Sequence, residues 1–137
     1  MVKEWNELQL DEELEFVTPP IEKVQLVKYS GAAGDYHMIH HDDELAKEVG
    51  LPGIIVHGMI SMGVLGEFVS QIVGNHGFVS DLQVRFIGMV FPGQSLTCRA
   101  KVVGKCESKK KVDFKVSAEV TSDNVASVGN VSAIYFA

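Results

Sequence analysis

After Gly74-Asn75, apolar and polar residues alternate with a period of two. Val112, Phe114, Val116, Ala118 and Val120 interleave with Asp113, Lys115, Ser117, Glu119 and Thr121, which is the pattern of a strand with one buried face. Leu82, Val84 and Phe86 alternate with Gln83 and Arg85, and Leu96, Cys98, Ala100 and Val102 with Thr97, Arg99 and Lys101. Pro92-Gly93 and Ser122-Asp123-Asn124 read as turns, and Val125 to Phe136 as a last strand.

The amino-terminal half has a different rhythm. Leu14, Phe16 and Thr18 alternate as a short strand that Pro19-Pro20 ends. Thr18 is a candidate cap for a helix starting at those prolines, with Ile21, Val24 and Val27 or Lys28 at helical spacing and Gly31 and Gly34 breaking it. Asp42 is placed to cap a short helix through Val49, with Leu45, Ala46 and Val49 inward and Gly50 beyond its end. From His57 to about Val73 the chain is apolar nearly all round, GMISMGVLGEFVSQIV, and such a helix belongs inside a protein. Gly58, Gly63 and Gly66 are costly in a helix and predict another backbone approaching closely. One buried helix followed by antiparallel strands predicts an α+β fold, a sheet wrapped around that helix.

At 137 residues the chain suits a single domain. It is 46% hydrophobic and 22% charged, as a soluble globular protein would be. The net charge of -6 argues against nucleic-acid binding, and the basic run Lys109-Lys110-Lys111 reads as a solvated hairpin tip. Ile54 to Val73 is long enough to raise a membrane question. His57, Glu67 and Gln71 would be expensive in lipid, so a core helix is expected and no membrane partner. Cys98 and Cys106 form neither a disulfide framework nor a metal motif, and the acidic start MVKEWNELQLDEELEF lacks a signal peptide's basic region. A reducing, cytoplasmic location is the expectation.

Ionisable residues gather between Gly34 and the apolar helix: Asp35, His37, His40, His41, Asp42, Asp43 and then His57. A carboxylate and a histidine near a loop-to-helix boundary suit general acid–base chemistry, because imidazole titrates near neutrality and a carboxylate can hold a water. Asp35 and His40 would lie on different faces of a regular helix, so a turn must bring them together. Asp42 and Asp43 are explained as capping residues. His37, His40, His41 and Asp35 match no zinc spacing. Val56-His57-Gly58-Met59 opens the apolar helix, where unpaired N–H groups and a side chain reduced to hydrogen would let a carbonyl oxygen approach.

The run Ala33-Gly34-Asp35-Tyr36-His37-Met38-Ile39-His40-His41-Asp42, followed by Val56-His57-Gly58-Met59, resembles the signature of MaoC-like (R)-specific enoyl-CoA hydratases and 3-hydroxyacyl dehydratases. There the pattern runs roughly S-G-D-x-N-P-x-H-x-D, with an H-G-M segment opening the central helix. The resemblance covers residues 20 to 75 and implies a hotdog fold. It implies Asp35 and His40 as the pair that activates water, and the Gly58 N–H as the group polarising a thioester carbonyl. It further implies a CoA or acyl-carrier-protein thioester as substrate, no cofactor and no metal, and a homodimer. A dimer would also cover the rest of the apolar helix and the sheet edges. The family's Asn-Pro is His37-Met38 here and its Ser is Ala33, which makes His37 a residue expected to tune the site. A hotdog thioesterase and a noncatalytic or structural subunit of a hetero-oligomeric dehydratase are the competing readings.

Overall fold

The computed structural model describes residues 1–136. Five antiparallel strands, β1 (Glu13–Val17), β2 (Gly77–Phe86), β3 (Thr97–Cys106), β4 (Lys111–Thr121) and β5 (Asn124–Tyr135), form one sheet in the order β1-β3-β4-β5-β2. Helix α3 (Gly58–Val73) packs on that sheet, and two shorter helices, α1 (Lys23–Ala33) and α2 (Asp43–Glu48), precede it. A sheet curled about one central helix is the hotdog arrangement.

The alternation of the carboxy-terminal half is what builds the core. Val112, Phe114, Val116 and Ala118 of β4 are buried, and in β3 Cys98, Ala100 and Val102 lie opposite Ala118, Val116 and Phe114. Leu65, Phe68, Val69 and Ile72 of α3 are fully buried. Removing side chains of this size from water contributes about 1.5–3 kcal/mol each. Phe68 stacks on Phe16 of β1, ring centroids 5.8 Å apart, so the helix is held from the far edge of the sheet as well as from its centre.

Helix α3 is apolar in sequence nearly all round, yet Met59, Gly63, Glu67 and Gln71 are exposed, a stripe at four-residue spacing. The close approaches to its glycines are made by side chains and not by backbone. A Cβ at Gly58 would sit 2.9 Å from the Phe86 ring and one at Gly66 would sit 3.2 Å from Leu82. Beside Gly63 there is open space among the described residues.

Helix α1 starts later than the prolines, at Lys23 with Glu22 before it. Thr18 is not its cap, because the hydroxyl accepts the Leu96 N–H at 2.9 Å while its own N–H bonds the Leu96 carbonyl. Ile21 likewise stays hydrogen-bonded to Gln94, which delays the helix. The buried face is Leu26 and Ser30, with Val24 and Val27 exposed. Gly31 lies within the helix, and Gly34, at φ 71°, ends it. Asp42 caps α2 through the Leu45 N–H, but Val49 points outward. Strand β2 begins at Gly77, just after Gly74-Asn75, and its register shifts between Val79 and Asp81.

Candidate active site

The α1 terminus turns the chain so that Asp35 follows immediately after the left-handed Gly34. Asp35 Oδ1 accepts the His37 N–H at 3.2 Å, and a single tight turn, Met38–His40, then carries the chain back. That turn brings Asp35 and His40 together although they are five residues apart. Oδ of Asp35, a ring nitrogen of His40 and one of His57 lie within 4.8 Å of one another.

His40 is buried and its Nδ1 lies 2.7 Å from the Ile55 carbonyl oxygen. A carbonyl oxygen only accepts, so Nδ1 carries the proton and donates it. Nε2 of the neutral ring is then the free lone pair, able to take a proton. The Ile55 N–H bonds the Ile39 carbonyl at 3.0 Å, so the two segments are clipped on both sides of His40. Asp43 steadies the same approach by accepting the Ile54 N–H at 3.0 Å. That bond first, and then Lys23, hold its carboxyl below the ordinary aspartate range.

Gly58 is the first residue of α3, with His57 before it. The first-turn N–H groups of a helix have no partner within the helix and carry partial positive charge. Behind them Ser127 and Ser61 hydroxyls lie 2.6 Å apart, and Ser61 Oγ donates to the Gly58 carbonyl at 2.8 Å. A Cβ at Gly58 would press on the Phe86 ring at 2.9 Å and force that side chain to move.

His57 was the least legible member of this cluster. Its place before the Gly58-Met59 pair ties it to a helix start, and nothing in the spacing announces that its ring stacks on His40, centroids 3.8 Å apart and planes at 21°. Burial first, and then the neighbouring His40, push its titration below the ordinary histidine value, with Asp35 pulling the other way. Near-parallel rings carry their lone pairs in two separate planes, so one metal ion cannot lie in both. The Asp35–His40–His57 set is therefore poorly shaped for a shared cation. His37 is exposed; its Nδ1 accepts the Ile39 N–H at 3.3 Å and its ring lies 6.3 Å from that of His40. His41 is also exposed and its Nε2 donates to the Tyr36 carbonyl, a tie across the loop.

The MaoC like domain model matches residues 6–124. The chain belongs to the MaoC-like family. Within that family it is 35% identical over 94 residues to the peroxisomal hydratase-dehydrogenase-epimerase of Saccharomyces cerevisiae, covering 69% of this chain and 10% of that protein. It is 31% identical over 99 residues to the fatty acid synthase beta subunit TOXC of Cochliobolus carbonum, covering 71% of this chain and 5% of that one. The chain thus spans a small part of each of these relatives. Among solved structures the R-hydratase PhaJ1 of Pseudomonas aeruginosa superposes with a TM-score of 0.87 at 20% identity, over 96% of this chain and 84% of that one. This likeness confirms the hotdog fold of the MaoC-like domain.

Proposed function

We propose that this MaoC-like chain reversibly hydrates trans-2-enoyl thioesters to (R)-3-hydroxyacyl thioesters. The observation that carries the reading is the His40 ring, whose Nδ1 is committed to Ile55, which leaves Nε2 as its free lone pair in a ring with a nitrogen within 4.8 Å of the Asp35 carboxylate. Asp35 holds the water, and His40 Nε2 takes a proton from it as its oxygen bonds C3. Charge moves onto the thioester oxygen, which the Gly58 N–H stabilises, and a proton is then delivered to C2. The reverse sequence dehydrates. The relative named enoyl-CoA hydratase 2 of Arabidopsis thaliana, 36% identical over 66 residues, supports a CoA handle. That match covers 47% of this chain and 21% of the relative.

His37, at the family's Asn position, tunes the pair: its N–H fixes Asp35 and its ring lies 6.3 Å from that of His40. A second copy of the chain pairs along β2, whose outer edge has no strand beside it among the described residues and where Phe78, Phe86 and Ile87 are exposed. Two free thiols, Cys98 and Cys106, suit a reducing, cytoplasmic location. Among the described residues no helix is long and apolar enough to cross a membrane.

The test is loss of enoyl-thioester absorbance with crotonyl-CoA and a longer-chain analogue, with chiral analysis of the product. Hydration to the (R)-3-hydroxyacyl thioester supports the proposal. Release of free CoA without hydration would point to a thioesterase, and no reaction with either substrate to a noncatalytic subunit.

A further inference from the structure

His57 is 2% exposed, and its Nδ1 has no hydrogen-bond partner among the described residues. Leaving a buried ring nitrogen unpaired costs free energy, and a phenyl ring would fill the same space without that cost. What histidine adds is its other nitrogen: Nε2 lies 3.1 Å from Ser30 Oγ, on the buried face of α1. Tyr29, from the same helix, packs against the ring at 4.6 Å. One ring therefore joins three segments, namely α1 just before Asp35, the His40 turn, and the start of α3 ahead of Gly58.

We propose that His57 is the positioning residue of this site: tied to α1 through Ser30 and stacked on His40, it sets the angle at which His40 Nε2 meets the water beside Asp35. The proposal rests on the catalytic assignment of Asp35 and His40 above. Burial and the neighbouring His40 lower the titration of His57, which disfavours it as the proton acceptor. The charged or titratable groups around it are His40 and Asp35, with the Tyr29 phenol beyond, and His40 additionally faces His37. A general base must be aimed as well as present, and misplacement of about 1 Å can cost on the order of 100-fold in rate.

The experiment compares His57→Ala, His57→Phe and Ser30→Ala for crotonyl-CoA hydration, with thermal melts of each. Positioning predicts a graded loss in kcat at nearly constant KM. The loss is about 100-fold for His57→Ala, where ring and tie both go, and about tenfold for His57→Phe and Ser30→Ala, where one survives. The acidic limb of the pH–rate profile stays where it is in the wild type for His57→Phe, because no base has been removed. Should His57→Ala fail to fold, the other two variants carry the test. If Asp35→Asn loses activity while His57→Phe and Ser30→Ala run at wild-type kcat, the positioning role falls and the catalytic pair stands. If Asp35→Asn matches the wild type, both fall. A shifted acidic limb in His57→Phe would make His57 a proton carrier and overturn the positioning role.

Discussion

His40 donates its Nδ1–H to the carbonyl oxygen of Ile55 at 2.7 Å, across a gap of fifteen residues. Through that one bond the loop ahead of α3 selects which nitrogen of the proposed base is free. The neutral ring is expected in the Nδ1–H tautomer throughout the active pH range. Nitrogen-15 chemical shifts of a histidine-labelled protein check this: His40 should show a protonated Nδ1 and an unprotonated Nε2. The opposite tautomer would remove Nε2 from the role of proton acceptor.

The depressed titration of His57 has a consequence for stability. The unfolded chain binds a proton at this residue near pH 6.5, whereas the folded chain resists it until a lower pH. The unfolded state therefore binds more protons below about pH 6.5, and folding stability must fall as the pH drops from there toward the folded value. Above that window the residue contributes no slope. Denaturant midpoints measured from pH 7.5 down to 5.5 should decline in the wild type and flatten in His57→Phe. Parallel curves for the two proteins would show that the ring protonates alike in both states.

The two thiols should differ in reactivity. Burial pushes Cys98 up to about 12, and its side chain is fully enclosed between β1 and β4. Cys106, at the end of β3, is lowered by the Ser108 hydroxyl first and then by the Lys109 main chain. Because the thiolate is the nucleophile, one equivalent of a thiol reagent should be consumed quickly at pH 7.5 and the second only on unfolding. Mass mapping of the label to Cys98 in native protein would contradict the enclosure.

Strand β2 is ten residues long and, among the described residues, bonded only to β5. Unpaired edges of this length are normally covered or blunted, and Phe78, Phe86 and Ile87 at 47–55% exposure are poor residues to leave in water. Sedimentation at micromolar concentration should give a dimer. A stable monomer would leave this edge and the exposed apolar residues without an explanation.

The sheet was readable because β4, and β3 as far as Val102, alternate strictly, each side chain answering to one neighbour across the ladder before the register shifts between Val102 and Gly104. The change of period after Gly74-Asn75 marks the start of β2, while its clean alternation runs only from Leu82, beyond the register shift between Val79 and Asp81. The start of α1 was misplaced for a physical reason. Thr18 and Ile21 have their hydrogen bonds taken by Leu96 and Gln94, partners too distant in sequence for local spacing to reveal. The turn joining Asp35 and His40 was anticipated from the lack of helical period. The stacking of His57 on His40 was not, because it depends on how α1 and the start of α3 meet in space.

The central claim is that Asp35 and His40 act as one unit on one water, and hydration kinetics of the double variant test it most directly. Asp35→Asn and His40→Gln should each lower kcat by about 10²–10⁴-fold, while His37→Asn, a tuning change, stays within about tenfold, or 1.4 kcal/mol of barrier. The decisive comparison is Asp35→Asn combined with His40→Gln. The account predicts that this protein is little slower than either single variant, because the second change removes a partner already idle. Losses that multiply in the double variant would show two independent roles and contradict it.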